Sequence, residues 1–163
     1  MSERLDRFRQ AQDQPGAGFD AALAELKAGR KRGHWIWYVF PQLAGLGASA
    51  MSERYGIASR EEASAFLRDE TLRDRLLTAT TAVADQVMRG LSLRRVMGAD
   101  IDATKLVSSL TLFEIIAREV YAASGDETCQ SLVNAAEDVL IAAEREGFPR
   151  CAFTLARLDR GRS

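Results

Sequence analysis

The sequence is poor in the residues that several function classes require. Its 163 residues include one histidine, two cysteines and three prolines. A protein zinc site uses three or four closely arranged His, Cys or carboxylate ligands, so the lone histidine with the separated Cys129 and Cys151 does not form one. Two cysteines in a chain of this size indicate a reducing compartment, where they act as small apolar groups. We therefore expect no metal, no cofactor and a cytoplasmic location.

Long apolar runs and an excess of one charge are also missing. No run approaches the ~20 apolar residues that a membrane-spanning helix needs, and the first residues are too charged for a secretory signal. The 22 basic and 23 acidic residues give a net charge of −1, whereas a general nucleic-acid binder carries a clear positive excess. Neither a membrane nor general nucleic-acid binding is expected. Phosphate-loop, zinc-protease and hydrolase-nucleophile motifs are absent as well.

Most of the chain has the apolar periodicity of helices. Ser59 followed by Glu62 predicts a capping box, in which each side chain accepts a hydrogen bond from a free backbone N–H. Asp102 and Asp126 are predicted to cap the two long helices at about 103–123 and 126–146. The helix at 103–123 is the most apolar and should be central. The pattern predicts one all-α domain over residues 1–163, with seven or eight helices.

One stretch, from Arg30 to Ser49, interrupts this pattern. It contains both tryptophans, the histidine, three consecutive basic residues, and four of the twelve aromatic residues between Trp35 and Phe40. The run Trp35 to Phe40 resembles a strand but has no evident partner strand. A lone strand leaves its backbone groups unpaired, so we expect this run to be irregular or helical.

Each feature of this stretch has a structural and a functional interpretation. The aromatic residues are typical of a core, but Trp35 or Trp37 could also stack on a ring. The basic run that includes Lys31 and Arg32 is either a solvated surface or a site for phosphate or carboxylate. His34 is either a half-buried histidine bonded to backbone or a general acid or base.

Two further polar groups have the same ambiguity. The glycine-bearing turn before Ser49 is either a tight turn or an anion site made by free N–H groups at a helix start. On the apolar central helix, Lys105 and Ser109 are four residues apart and share a face. Its serines either bond back to carbonyls one turn earlier or take part in a site.

Several motifs follow one another in a specific order. They are Gly29-Arg30-Lys31-Arg32-x-His34-Trp35-x-Trp37, Phe40-Pro41-Gln42, Gly45-Leu46-Gly47 with Ser49, Tyr55-x-Ile57, and Lys105-x-x-Ser108-Ser109-x-Thr111-Leu112-Phe113. Over roughly residues 3 to 115 this order resembles a bacterial family, domain of unknown function 1810. Its members sometimes carry a calpastatin label, which we regard as a mistaken transfer. The resemblance implies a multihelical fold and no established activity.

The residues of these motifs include those selected by their chemistry. The leading hypothesis is a pocket for a small anionic or nucleotide-like ligand, with His34 as acid or base if the protein is a hydrolase. The predicted ligand-binding residues are Lys31, Arg32, Trp35, Trp37, Gln42, Ser49, Lys105 and Ser109. The alternative is a protein-interaction module whose aromatic segment is an exposed patch that a partner covers. A third possibility is that the segment is only core. Nothing in the sequence specifies an oligomeric state.

Overall fold

The computed structural model describes residues 2–160, without the side chain of Ser2. This part of the chain folds into ten helices and contains no strand. The helices are α1 (Ser2–Gln12), α2 (Phe19–Lys27), α3 (Ile36–Val39), α4 (Ala50–Tyr55), α5 (Arg60–Arg68), α6 (Glu70–Met88), α7 (Leu93–Met97), α8 (Asp100–Ser124), α9 (Glu127–Arg145) and α10 (Ala152–Arg160).

The all-α prediction is therefore confirmed, but the predicted number of helices was too low. The uncounted helices lie in the segments that gave weak periodic signals. The four residues of α3 make only one turn, too short to show a 3.6-residue period. The nine residues of α10 follow Pro149, where the sequence predicts at most a short docked helix from Cys151 to Leu158.

Two of the predicted caps are present. Ser59 Oγ accepts a hydrogen bond from Glu62 N–H at 3.1 Å, and Asp126 accepts one from Thr128 N–H at 2.9 Å. The other half of the predicted capping box differs, because Glu62 Oε1 accepts from Ala58 N–H at 3.1 Å instead of from Ser59 N–H. The predicted cap at Asp102 was wrong, because α8 begins three residues earlier than predicted and its N-cap is Ala99. Asp102 lies in the first turn of α8, so its carboxylate is available for another partner.

The central position of α8 follows from its all-round apolarity. It packs against α9, α5, α7, α10 and α3, while α6 packs against α9 and α2. A helix that is apolar on most faces must be covered on most faces. The core includes Leu106, Leu110, Phe113 and Ile116 of α8, all fully buried.

The loop that follows α3 pairs with the residues that follow α4. Leu43 and Ile57 form an isolated parallel bridge. Its hydrogen bonds run from Ala44 N–H to the Ile57 carbonyl at 2.8 Å and from Ile57 N–H to the Gln42 carbonyl at 2.9 Å. The bridge fixes the backbone on both sides of α4 and brings the end of the aromatic segment next to Tyr55.

None of the helices in residues 2–160 combines the length and the apolar character that crossing a membrane requires. In the same residues, no three His, Cys, Asp or Glu side chains are grouped so that they could hold a metal ion.

Candidate functional site

Lys31 fixes the first half of the unusual stretch. We call the group formed by Glu25, Lys31, Gly33, Trp35 and Asp102 the Lys31 corner. The Lys31 side chain is only 5% exposed, and its Nζ lies 2.8 Å from Asp102 Oδ2. Nζ also donates to the Gly33 carbonyl and lies 5.0 Å from the centre of the Trp35 ring. These contacts direct the ammonium into the protein.

Glu25 of α2 organises the rest of this corner. Its Oε1 accepts hydrogen bonds from Arg32 N–H at 2.7 Å, Gly33 N–H at 2.8 Å and Trp35 Nε1 at 3.0 Å. Burial acts to raise the pKa of Glu25, but the hydrogen bonds from Gly33, Arg32 and Trp35 and the charge of Lys31 outweigh burial and lower that pKa. The ionised carboxylate therefore holds the loop that begins the stretch.

The second half of the stretch forms a cleft with the central helix, here called the Lys105 cleft. Its walls come from α3, the following loop, α4 and α8. The lining residues are Ile36, Trp37, Phe40, Gln42, Ser52, Tyr55, Gly56 and Lys105. The aromatic segment and the central helix thus wall one site, although they are far apart in the sequence.

Two hydrogen-bond donors in this cleft have no acceptor. Lys105 Nζ lies 4.6 Å from the centre of the Trp37 ring, and no carboxylate of the described residues pairs with it. Trp37 Nε1 is buried and has no hydrogen-bond partner within residues 2–160. A buried polar group without a partner costs ~1–3 kcal/mol. Trp37 Nε1 is such a group, whereas Lys105 is partly exposed.

The cleft is narrow. Its interior space is about 10 Å³, which corresponds to roughly one water molecule. The lysine ammonium also covers one face of the Trp37 ring. A single small polar group can therefore enter between Trp37 and Lys105, whereas a planar ring system would have to lie outside.

Of the predicted site residues, Trp37, Gln42 and Lys105 line this cleft, and Lys31 and Trp35 lie in the other corner. The remaining ones lie elsewhere. The side chains of His34 and Arg32 are exposed outside the cleft lining. Ser49 caps α4 by accepting from Ser52 N–H at 3.1 Å. Ser109 is fully buried one turn after Lys105, and its hydroxyl has no partner in the described chain.

Four residues with polar side chains at the two sites, Glu25, Ser52, Tyr55 and Asp102, were not among the predicted ligands. Tyr55 was part of the family motif and could have been included for that reason. Ser52 lies three residues after Ser49, the spacing of a cap and its partner, but the sequence does not show that it faces a cleft. Glu25 and Asp102 had no distinguishing signal, because acidic residues at helix surfaces are frequent in this chain.

Most of the aromatic segment is core. Of the six residues from Trp35 to Phe40, only Trp37 is incompletely buried. Tyr38 donates its hydroxyl to the Ala17 carbonyl at 2.5 Å, and burial, with a smaller contribution from Tyr55, raises the pKa of Tyr38. The segment therefore exposes little apolar surface.

Comparison with known proteins gives a family but no activity. The sequence model of a family described as "Protein of unknown function (DUF1810)" matches residues 2–137, which extends past the sequence motifs into α9. The crystal structure of the conserved hypothetical protein Rv1873 from Mycobacterium tuberculosis is similar, with 38% identity and a TM-score of 0.70. That similarity covers 93% of this chain and 94% of the other. No curated protein matches the sequence.

Proposed function

Since this chain belongs to the DUF1810 family of proteins of unknown function, we propose from its own side chains that it binds a small anionic molecule in the Lys105 cleft. One oxygen atom of a carboxylate or a phosphate would enter the cleft between Trp37 and Lys105. The remainder of the ligand would lie at the cleft mouth, outside Trp37. Binding of a nucleotide-like molecule through its phosphate is one form of this proposal.

The observation that carries the proposal is the pair of donors without an acceptor. The Trp37 indole N–H is buried with no partner in residues 2–160, and the Lys105 ammonium beside it has no carboxylate partner there. An oxyanion accepts hydrogen bonds from both, and charge-assisted bonds to an ammonium are about twice as strong as neutral ones. An anion satisfies both groups, whereas a cation satisfies neither.

The other polar residues of the cleft suit the same ligand class. Gln42 supplies amide N–H donors and Ser52 a hydroxyl. No carboxylate lines the cleft in the described chain, so nothing there repels a negative charge. The apolar walls of Ile36 and Phe40 lower the local dielectric and strengthen the attraction between Lys105 and an anion.

The proposal assigns binding and no reaction to the cleft. His34 is exposed and does not line it. A hydrolase activity with His34 as acid or base would need a ligand that extends from the cleft to this imidazole. Loss of turnover in His34→Ala, with binding retained, is the result that such an activity requires.

The alternative hypothesis of a protein-interaction module receives less support from the geometry. That hypothesis needs the aromatic segment to form an exposed apolar patch. Five of its six residues are buried, and the exposed large apolar side chains, such as Met88 and Ile101, lie on other segments. A binding cleft accounts for the partly exposed Trp37 better than a docking patch does.

A thermal-shift screen tests the proposal. The panel comprises carboxylates, inorganic phosphate, phosphorylated metabolites, nucleotides and ADP-ribose. A ligand at about 100 times its dissociation constant adds ~2.7 kcal/mol to the free energy of unfolding. For a domain of this size the melting temperature then rises by roughly 5–10 °C.

Two variants and one control locate any site that the screen finds. Lys105→Met removes the charge but keeps the length of the side chain, and Trp37→Phe removes the N–H but keeps an aromatic ring. Lys27→Met is the matched control, because Lys27 is an exposed lysine on α2 outside the cleft. The expected result is a shift in wild type and Lys27→Met that both other variants lose. A shift of equal size in Lys105→Met, or no shift across the panel, contradicts the proposal.

A further inference from the structure

A basic region lies beside the Lys31 corner, away from the Lys105 cleft. The segments 26–33 and 86–98 contain no acidic residue but seven basic ones, which are Lys27, Arg30, Lys31, Arg32, Arg89, Arg94 and Arg95. The whole chain has a net charge of −1, so its positive charge is concentrated here and offset in other segments. Such a concentration raises the local density of ligands of the opposite sign.

Backbone contacts hold the two basic segments together. Lys31 N–H donates to the Val96 carbonyl at 2.7 Å. Gly98, at φ +82°, lies so close to Lys31 that a Cβ atom on Gly98 would be 2.8 Å from the Lys31 carbonyl oxygen. A side chain at Gly98 would therefore push the segments apart. The close contact sets the backbone of Arg30 against the end of α7.

This arrangement places three arginines around one concavity, here called the Arg30 pocket. The pocket measures about 430 Å³, and its lining residues are Arg30, Ser92, Arg94, Arg95 and Gly98. Its volume is in the range of small-molecule sites. Within the described chain, neither a carboxylate nor an aromatic side chain lines it. The lining therefore favours a ligand with negative charge and offers no ring on which a base would stack.

Two of the three arginines have no partner in the protein. Arg30 and Arg95 are exposed, and their guanidinium groups make no ion pair or hydrogen bond with residues 2–160. Arg94 Nε pairs with Asp100, and the Arg94 guanidinium lies 5.8 Å from the centre of the Phe148 ring. The pocket thus contains more positive charge than the described chain neutralises.

The donors that the pocket offers are side chains, because the nearby backbone amides are already bonded. Leu93 N–H donates to both carboxylate oxygens of Glu146, at 2.9 and 2.7 Å. Arg95 N–H donates to Ser92 Oγ at 3.1 Å. A hydroxyl that accepts one hydrogen bond still has its own O–H to donate. Guanidinium N–H groups and one hydroxyl are therefore the groups that face a ligand.

We propose that the Arg30 pocket binds a chain of two or three linked phosphates, at a site separate from the Lys105 cleft. Arginine stays charged at neutral pH and forms bidentate hydrogen bonds with phosphate oxygens. Three arginines match the several negative charges of a phosphate chain better than the single charge of a carboxylate. Because the lining has no aromatic side chain, the phosphate chain itself is the group that is recognised.

Isothermal titration calorimetry with inorganic triphosphate tests this proposal. The full-length protein carries Lys105→Met, so that anion binding in the Lys105 cleft does not contribute and the two sites are tested separately. The buffer contains about 0.15 M salt, which screens loose attraction between exposed charges. The expected result is one triphosphate bound per chain. Sulfate, with fewer charges and no linked phosphates, should bind on the order of tenfold more weakly.

Two variants and one control assign the binding to the pocket. Arg30→Gln and Arg95→Gln each remove a guanidinium and keep a polar side chain. Each should raise the Kd of triphosphate on the order of tenfold, since charge-assisted hydrogen bonds are lost. Arg157→Gln is the matched control and should leave the Kd unchanged. Arg157 is an exposed arginine of α10 that has no carboxylate partner in the described chain and lies outside the pocket lining.

The melting temperature of the free protein separates a binding role from a structural role. Arg30 and Arg95 have no partner to lose, and their positive charges repel each other. Arg30→Gln and Arg95→Gln should therefore leave the melting temperature unchanged or raise it. A fall in the melting temperature of both variants would show that these arginines stabilise the fold, which contradicts the proposal.

A second ligand identifies what is recognised. ATP and inorganic triphosphate should bind with similar affinity, because the pocket contacts only the phosphates. Four results overturn the proposal: a Kd of inorganic triphosphate above about 1 mM, binding of ATP without binding of inorganic triphosphate, equal affinity for sulfate, and a Kd of triphosphate that neither Arg30→Gln nor Arg95→Gln changes.

Discussion

The two tryptophans of the unusual stretch each pair with a lysine, Trp35 with Lys31 and Trp37 with Lys105 of α8, but the two pairs differ in whether their donors have acceptors. In the Lys31 corner, the ammonium lies 5.0 Å from the Trp35 ring centre, Asp102 neutralises it, and Glu25 accepts the indole N–H. In the Lys105 cleft, the ammonium lies 4.6 Å from the Trp37 ring centre, but the described residues offer neither group an acceptor. Acidic partners make the first pair structural. Their absence leaves the second pair open to a ligand.

This difference also shows why a cation near an aromatic ring is weak evidence for a binding site by itself. A cation–π contact contributes only ~0.5–2 kcal/mol in either place. What distinguishes the pairs is whether every donor is already satisfied. The predictions below test this distinction, in order of decreasing effect on stability.

Removing the lysine should lower stability much more in the Lys31 corner than in the Lys105 cleft. Lys31→Met leaves Asp102 without its buried partner and should lower the free energy of unfolding by about 3 kcal/mol. Lys105→Met loses only the contact with Trp37 and should cost less than about 1 kcal/mol. Urea unfolding of both variants measures the two values. Equal losses would show that Lys105 is as structural as Lys31.

Glu25→Gln should weaken the Lys31 corner to a smaller extent. The carboxylate accepts three hydrogen bonds, and the amide accepts them less well, so a loss of about 1–3 kcal/mol is expected at neutral pH. The folded-state pKa of Glu25 is lowered, so its contribution is complete above the unfolded pKa and is lost as the pH falls through the folded pKa.

The pH dependence gives this prediction its control. Unfolding free energies of wild type and Glu25→Gln, measured from about pH 6 down to about pH 3, should converge in acid as the wild-type carboxyl becomes protonated. A difference that stays constant over this range would mean that the ionised form of Glu25 has no special role.

Gln42→Glu should give the Lys105 ammonium a carboxylate partner within the protein. The new carboxylate lines the same cleft as Lys105 and gives the ammonium an internal partner. The expected gain in unfolding free energy is up to about 1 kcal/mol, with loss of anion binding by charge repulsion. Thermal shifts with and without ligand measure both effects, and undiminished anion binding would place the ligand elsewhere.

Trp37→Phe should have the smallest effect on the free protein. It removes an N–H that has no acceptor in the described chain, which offsets the smaller ring, so the unfolding free energy should change by less than about 1 kcal/mol. Trp35→Phe, the matched change in the closed pair, leaves Glu25 with an unused acceptor and should cost more. The reverse order in denaturant unfolding would contradict the assignment of the two pairs.

The fold was predictable from local signals, since helix caps and 3.6-residue periodicity depend on neighbours in the sequence. Ser59 and Asp126 cap the helices as expected. Asp102 did not, because α8 begins before it, and its carboxylate pairs instead with Lys31 from a distant segment. The one-turn α3 was also beyond a periodicity argument, since four residues do not show a period.

The candidate site was predictable only as a set of residues. Sequence motifs selected both Lys31 and Lys105, but no local feature indicated which of them has an acidic partner. That partner comes from α8 for Lys31, and its absence at Lys105 is a property of the assembled cleft. Whether a donor is satisfied depends on tertiary contacts, and these are what single-sequence reasoning does not supply.

The bridge between Leu43 and Ile57 has a thermodynamic consequence for recognition. Its two hydrogen bonds fix the backbone at Gln42 and Ala44 on one side and at Ile57 on the other. The conformational entropy of this loop is therefore lost during folding, not when a ligand arrives, which leaves more of the interaction energy for affinity. Slow hydrogen–deuterium exchange at the amides of Ala44 and Ile57 in the free protein would be the signature of a cleft that is already ordered before it is filled.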